Sequence, residues 1–162
     1  MFEMKKHLNY FLLLLVVVVD QLTKYLARLF LQVDNPIEIG AGHIKLQLTH
    51  NSGAFLSMGA NWSESARWIV LIGFVILFLF FLWRLMTSSQ STYKQKLCYA
   101  IVLGGGTGNL IDRIFAGEVT DFLWLGYGKL QTGVFNIADM AILFGVLILF
   151  LEIHPKNNKK VI

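Results

Sequence analysis

The stretch Gly133–Phe150, GVFNIADMAILFGVLILF, is almost entirely apolar and carries two polar side chains near its start. Its composition is that of a membrane-spanning helix, since about 20 apolar residues cross the ~30 Å hydrocarbon core of a bilayer. Asn136 is a favoured N-cap residue, and an acid three residues later, Asp139, completes the pattern of a capping box. The alternative is that Asp139 is a catalytic carboxylate held at the membrane surface. The stretch alone leaves both interpretations open.

The composition of the whole chain agrees with a membrane protein. Its 162 residues are 56% hydrophobic and only 15% charged, which is too little charge to cover the surface of a soluble domain. We therefore predict an all-α membrane protein with four transmembrane helices and a small strand-containing region in the outer-surface loops. We expect residues 1–162 to form a single domain. The predicted spans cover residues 8–31, 66–86, 97–115 and 134–153.

The first span could instead be the apolar part of a cleaved signal peptide. A small-residue cleavage site would then follow the apolar run, but the sequence continues as DQLTKYLARLF, from Asp20 to Phe30. We therefore expect this segment to remain in the protein as a membrane helix.

The distribution of Lys and Arg in the loops, the tails and the ends of the spans predicts the orientation of the chain. Cytoplasmic loops of membrane proteins are enriched in these residues, and eight of them would lie on one side against three on the other. We therefore expect both termini in the cytoplasm and the two long loops at the outer face. The net charge of +4 then reflects topology, and nucleic-acid binding is not indicated. The eight are Lys5, Lys6, Arg84, Lys94, Lys96, Lys156, Lys159 and Lys160, and the three are Lys45, Arg67 and Lys129.

The sequence indicates neither a metal site nor a cofactor. The histidines and the single Cys98 lack the spacing of a tetrahedral metal site, and a lone cysteine in an apolar span is expected to be an inert thiol. The glycines of GGGTGNLIDR, Gly104–Arg113, lack the third glycine of the dinucleotide-binding fingerprint, and no strand precedes them. Close packing of membrane helices explains them better.

The two long loops carry different signals. In the first, HIKLQLTH (His43–His50) alternates in the manner of a short strand, and Asn51-Ser52-Gly53 is a turn signal whose simplest interpretation is a hairpin turn. In the second, DFLWLGY is unusually apolar for a solvated loop, so we expect it to lie in the membrane interface. Asp121 begins that segment and is expected in the loop just outside the third span.

Ionisable side chains within the spans are candidate functional groups, because burying charge in a bilayer is unfavourable. Asp20 and Lys24 are four residues apart on one helix face and can neutralise each other, so a structural ion pair is favoured over direct catalysis. Asn109 and Arg113 also share a face. The partner of Arg113 stays open among Asp112, Asp20 and a catalytic carboxylate.

The predicted topology places these polar groups, together with Asp121 and Asp139, in one layer near the outer face. Two aspartates brought close together cannot both ionise easily, so one keeps a proton while the other acts as a base. Such a pair can activate water against a peptide carbonyl and protonate the departing amine without a metal or cofactor. The pattern therefore favours a peptidase acting at the outer membrane surface.

Five ordered blocks carry a resemblance to a known family. The segments VVDQLTK, HNSGAF, GGGTGNLIDR, GEVTDF and VFNIAD together resemble signal peptidase II, the lipoprotein signal peptidase of bacteria. The resemblance implies an intramembrane aspartic endopeptidase that removes signal peptides from diacylglyceryl-modified prolipoproteins. The cut would fall just before the lipidated cysteine, at the outer face of the cytoplasmic membrane.

The same resemblance implies specific residue roles. Asp121 and Asp139 would be the catalytic pair. The residues expected to support the site or contact substrate are Asp20, Lys24, Asn51, Gly53, Asn109, Arg113, Asn136 and Ala138. It further implies a strand-rich cradle in the outer leaflet, contact with membrane lipids, a monomer, and inhibition by a cyclic depsipeptide antibiotic.

Three departures from the family pattern keep alternatives open. Phe55 stands where alanine is usual, Thr107 replaces a usual alanine, and KLQTGV lacks the usual Trp-Pro before Phe135. A divergent paralogue that cleaves another membrane peptide is therefore one alternative. A non-enzymatic carrier or assembly factor is the other, and Asp121 argues against it because a transport path through the spans would not need an outer-loop acid.

Overall fold

The computed structural model describes residues 2–52, 63, 66 and 68–153, which form four α-helices and one small sheet. Each predicted span overlaps one of these helices; the C-terminal ends agree to within one residue, while the starts differ by up to seven residues. A π-helical turn, Trp68–Ile72, which the sequence did not predict, leads directly into the second helix. The helices are α1 (Phe2–Phe30), α2 (Gly73–Thr87), α3 (Tyr93–Ala116) and α4 (Ile137–Ile153).

Length and composition identify one self-sufficient membrane span. Within the described residues, only His7–Phe30 is both long and apolar enough to cross a bilayer by itself, and Gly73–Thr87 is apolar but shorter. Large apolar side chains nevertheless cover the outward faces of three helices. Examples on α1, α2 and α4 are Phe11, Leu14, Phe74, Leu77, Phe144 and Leu147.

Both ends of α3 are determined by local sequence. At its start Thr92 forms a capping box with Gln95, in which Gln95 N donates to Thr92 Oγ1 at 3.2 Å and Thr92 N donates to Gln95 Oε1 at 2.9 Å. At its end Gly117 adopts a left-handed conformation with φ of 76°, which glycine tolerates without steric penalty. The helix therefore stops just before the segment that bears Asp121.

Helix α3 packs against all three other helices. A Cβ on Gly105 would collide with the Ala138 carbonyl of α4, and one on Gly108 would collide with the Asp20 carboxylate of α1. These glycines therefore allow α1 and α4 to approach α3 closely, as the sequence predicted. The buried apolar cluster is formed by residues of α2 and α3: Leu82, Met86, Tyr99, Ala100, Val102 and Leu103.

The sheet is antiparallel with strand order β1-β2-β3-β4. The predicted strand in HIKLQLTH is confirmed as β2. The strands are β1 (Ile37–Ile39), β2 (Ile44–Asn51), β3 (Val119–Tyr127) and β4 (Leu130–Gln131).

The expectation that DFLWLGY lies in a loop is wrong, while its expected place in the membrane interface stays a prediction. Those residues belong to β3, where β-branched and aromatic side chains favour extended structure and the backbone groups pair with β2. Asp121 accordingly lies in a strand rather than a loop, with Thr49 opposite it in β2. The sheet therefore joins the two long loops into one unit beside the ends of α1 and α3.

Candidate active site

The start of α4 is built by a reciprocal pair of hydrogen bonds. Asp139 N donates to Asn136 Oδ1 at 3.0 Å, and Asn136 N donates to Asp139 Oδ2 at 3.1 Å. The capping interpretation of this stretch is therefore confirmed. The other carboxylate oxygen, Asp139 Oδ1, accepts from Asn109 Nδ2 on α3 at 2.8 Å. The cap thus uses one carboxylate oxygen of Asp139, and the other oxygen is hydrogen-bonded to α3.

Asp121 is buried, with 2% of its surface exposed, and both of its carboxylate oxygens accept amide donors. Asn136 Nδ2 donates to Asp121 Oδ1 at 2.6 Å, and Asn51 Nδ2 donates to Oδ2 at 3.2 Å. Asn136 therefore contacts both acids, through its backbone N–H to Asp139 and through its side chain to Asp121. Two residues that are 18 positions apart in sequence are held by one asparagine.

The surroundings of Asp121 change its proton affinity. Burial raises the pKa of this carboxyl from its usual 3.8 to about 6, and the negative charge of nearby Asp139 acts in the same direction. The hydrogen bonds from Asn51 and Asn136 and the charge of Lys24 oppose the increase. Asp139 is partly exposed. The two acids are therefore electrostatically coupled but differ in their access to solvent.

A buried ionic cluster lies next to the two acids. Lys24 Nζ is 2.8 Å from Asp20 Oδ2 and 3.2 Å from Asp112 Oδ2, and it donates to Asn109 Oδ1 at 2.8 Å. Both Lys24 and Asp20 have no exposed surface. The predicted pair of Asp20 and Lys24 is therefore present, with Asp112 as a second carboxylate partner that the sequence analysis did not identify.

This cluster is bonded directly to the candidate catalytic residues. Asp20 Oδ1 accepts from Ala138 N in the first turn of α4 at 2.9 Å, so the role of Ala138 at the site is through its backbone. Asn109 Oδ1 accepts from Asn136 Nδ2 at 3.1 Å as well as from Lys24. Asn109 of α3 thus connects Lys24 of α1 to Asp139 of α4.

Arg113 is one turn beyond Asn109 and is partly exposed. Its Nη1 donates to the Asn109 carbonyl at 3.4 Å, and its charge interacts with Asp139 most strongly, then with Asp121 and Asp112. Among the partners that the sequence left open, the two candidate catalytic acids therefore come first. A cation at this position offsets part of their combined negative charge.

Comparisons with known proteins agree with this geometry. Residues 12–154 match the family model described as signal peptidase (SPase) II. A lipoprotein signal peptidase from Hydrogenovibrio crunogenus is 34% identical over 156 residues, which cover 92% of this chain and 88% of the relative. The chain belongs to the signal peptidase II family.

Two further likenesses support the family and the fold. A lipoprotein signal peptidase from Moorella thermoacetica is 38% identical over 139 residues, which cover 85% of this chain and 87% of that one. A solved structure of a bacterial membrane enzyme has a TM-score of 0.76 with 21% identity, covering 96% of this chain and 95% of the other. At that identity the structural likeness supports the arrangement of helices and sheet.

Most of the predicted site residues lie in one hydrogen-bonded network. Gly53 and the unusual Phe55 lie outside the described residues. In the part of the chain that the structure describes, no group of three or more His, Cys, Asp or Glu side chains could hold a metal ion.

Sequence reasoning missed two buried polar residues of this signal peptidase II site. Asp112 is 5% exposed and Thr120 is 3% exposed, and Thr120 N donates to Asp112 Oδ2 at 3.0 Å. The rule that selected Asp20, an ionisable residue within a predicted span, applies equally to Asp112 and could have found it. Nothing in the local sequence distinguishes Thr120.

Proposed function

We propose that Asp121 and Asp139 are the catalytic pair of this signal peptidase II, which removes signal peptides from prolipoproteins. The observation that carries the proposal is that Asn136 binds both carboxylates, through its amide to Asp121 and its backbone N–H to Asp139. One acid is buried and the other is partly exposed. This asymmetry suits a pair that must hold one proton between two carboxyl groups.

In the proposed reaction Asp139 is the base and Asp121 is the acid. The carboxylate of Asp139 accepts a proton from a water molecule as the water oxygen bonds to the scissile carbonyl carbon. Protonated Asp121 then donates its proton to the amide nitrogen as the carbon–nitrogen bond breaks, which releases one carboxylic acid and one amine. A pKa near 6 supports Asp121 as the proton-holding member of the pair.

The supporting residues act by fixing these two acids. Asn51 and Asn136 bind Asp121, while Asn109 binds Asp139. The buried pair of Asp20 and Lys24 links α1 to Ala138 and to Asn109, and Arg113 offsets the charge of the pair. Gly53 is retained in the proposal on the resemblance alone.

The membrane arrangement is also part of the proposal. All four helices would cross the bilayer with both termini in the cytoplasm, and the sheet would form a cradle at the outer face in contact with lipids. The substrate would be a diacylglyceryl-modified prolipoprotein cut just before its lipidated cysteine, and a cyclic depsipeptide would inhibit a monomeric enzyme. The exposed apolar faces of α1, α2 and α4 support burial in lipid.

Cleavage by purified variants tests the catalytic pair. Asp121→Asn and Asp139→Asn should each lower the cleavage of a lipidated prolipoprotein by at least about 10³-fold, because each removes one partner in the proton transfers. Asp34→Asn is the matched control, since Asp34 is an exposed aspartate in the segment before β1, and it should cleave at the wild-type rate.

The same assay distinguishes capping from catalysis at Asp139. Asparagine retains an oxygen that can accept from Asn136 N, so a role in capping alone predicts a small loss of stability and near-normal cleavage. That result, or near-normal cleavage by Asp121→Asn, would contradict the proposed pair. A substrate without the diacylglyceryl group should be cleaved poorly, and equal cleavage of both substrates would contradict the proposed substrate class.

A further inference from the structure

Thr120, the residue directly before Asp121, has each of its polar groups bonded to a different helical region. Its N–H donates to Asp112 Oδ2 of α3 at 3.0 Å, and its hydroxyl oxygen accepts from Arg28 Nη1 of α1 at 2.8 Å. Its carbonyl accepts from Nδ2 of Asn136, the residue before α4, at 3.4 Å. Thr120 is therefore the point at which β3 is joined to three helices.

The ladder between β2 and β3 is interrupted just beyond this part of β3. The register between β2 and β3 shifts between Leu46 and Thr49, immediately beside the position opposite Asp121. Irregularities of this kind bend a strand and redirect its side chains. Val119, Thr120 and Asp121 form a short paired segment on one side of this shift, and Thr120 adds three contacts that hold the segment from outside the ladder.

We propose that Thr120 is a positioning residue for Asp121, and that Arg28 is the group through which α1 exerts this control. The inference rests on the proposed catalytic role of Asp121. The bond from the guanidinium to the hydroxyl is charge-assisted and holds the side of Thr120 that neither Asp112 nor Asn136 reaches. Thr120 is buried and cannot itself contact a substrate, so its effect would pass through the adjacent Asp121.

Thr120→Val tests the role of the hydroxyl. Valine keeps the branched shape and both backbone hydrogen bonds, and it removes only the acceptor for Arg28. Arg28 is an exposed residue at the end of α1, so its guanidinium can bind water instead and need not stay unsatisfied. We expect a native melting temperature, an unchanged KM and a kcat lowered by about 3- to 10-fold, because a small misplacement of a catalytic group slows the chemical step.

Arg28→Met and the double variant test whether the two residues act through one bond. Arg28→Met should lower kcat by a similar factor, and the double variant should be no slower than either single variant. Thr120→Ser should restore kcat to near the wild-type value because it restores the hydroxyl. Lys129→Met is the control for loss of surface charge, since Lys129 follows β3, about 20 Å along the strand from Asp121, and it should leave kcat unchanged.

The pH dependence of kcat separates positioning from a general structural effect. Ionisation of Asp121 should give the plot of kcat against pH a slope near pH 6. The midpoint of that slope should shift in the same direction in Thr120→Val and Arg28→Met, and it should return to the wild-type pH in Thr120→Ser. Native kcat and an unshifted midpoint in Thr120→Val, or additive losses in the double variant, would overturn the inference. Asp121→Asn in the same series distinguishes the two failures. If Asp121→Asn still cleaves, the proposed catalytic pair is wrong. If Asp121→Asn does not cleave but Thr120→Val has the wild-type kcat, only the positioning role of Thr120 is overturned.

Discussion

Asn136 shows how one side chain can serve both the helix and the site. Its Oδ1 caps α4 by accepting from Asp139 N, while its Nδ2 lies 2.6 Å from Asp121 Oδ1 and 3.1 Å from Asn109 Oδ1. It is completely buried, so these bonds are not exchanged with water. The geometry that begins α4 is therefore the same geometry that sets where Asp139 lies relative to Asp121.

The raised pKa of Asp121 has a consequence for stability as well as for catalysis. The folded protein holds the proton of this carboxyl more strongly than the unfolded chain does, since its pKa rises from 3.8 to about 6. This contribution to the free energy of unfolding is complete below about pH 4 and is lost as the pH rises through 6. The full loss is on the order of 3 kcal/mol, at about 1.4 kcal/mol per pKa unit.

Thermal unfolding in detergent at about pH 4.5 and pH 7.5 checks this expectation. The melting temperature of Asp121→Asn should fall less, or rise more, between the two pH values than that of the wild type, because the amide does not titrate. Asp34→Asn should reproduce the wild-type pH dependence. An identical pH dependence in Asp121→Asn and wild type would show that burial of Asp121 does not disfavour its charged form.

At the scale of elements, α3 organises the molecule because its glycines remove side chains where other elements must approach. Gly105 faces the Ala138 carbonyl, and Gly108 faces the Asp20 carboxylate. Gly106 lies on another face, where an added Cβ would meet only the end of the flexible Leu79 side chain. The positions of the glycine-rich block therefore differ in how well they tolerate a side chain larger than that of glycine.

Gly108→Ala and Gly106→Ala test this difference within one helix. The alanine at 108 should displace Asp20 and weaken its bonds to Lys24 and Ala138, which lowers the free energy of unfolding by about 2 kcal/mol or more and reduces cleavage. At 106 the Leu79 side chain can move aside, so stability should change by less than about 1 kcal/mol. Melting temperatures and cleavage rates provide the readout, and equal effects at both positions would contradict the assigned contacts.

At the scale of the whole molecule, the site is concentrated at one end. The C-terminal ends of α1 and α3, the start of α4 and the whole sheet meet there, while the connection between α2 and α3 lies at the opposite end of those helices. The apolar outward faces of the helices separate the two ends. This division suits a bilayer between the site and the connection around Ser89.

Cysteine labelling in intact cells checks the proposed topology. In a Cys98→Ser background, Lys129→Cys in the turn of β3 and β4 should react with a membrane-impermeant maleimide. Ser89→Cys should react only after the inner membrane is permeabilised. Cys98 is 3% exposed and should react little itself, and its replacement leaves each variant with a single cysteine. Labelling of Ser89→Cys alone in intact cells would show the opposite orientation.

Features that depend on neighbours along the chain could be predicted from the sequence. Apolar runs located the four helices because the period and length of a helix are local properties. The capping pattern of Asn136 and Asp139 spans a single turn and was recognised for the same reason. Asp20 and Lys24, one turn apart, were correctly expected to pair.

Features that depend on how the helices meet were decided only by the tertiary structure. Asp20 reaches Ala138 across 118 positions of sequence, and Arg28 reaches Thr120 across 92, so no local pattern could specify these bonds. The sequence indicated which groups were too polar to face lipid without a partner. The hydrogen-bond partner of each polar group depends on the close packing of α3 and on the register of the strands. A hydrogen bond needs its donor and acceptor within about 3 Å of each other, and only the assembled fold sets such distances.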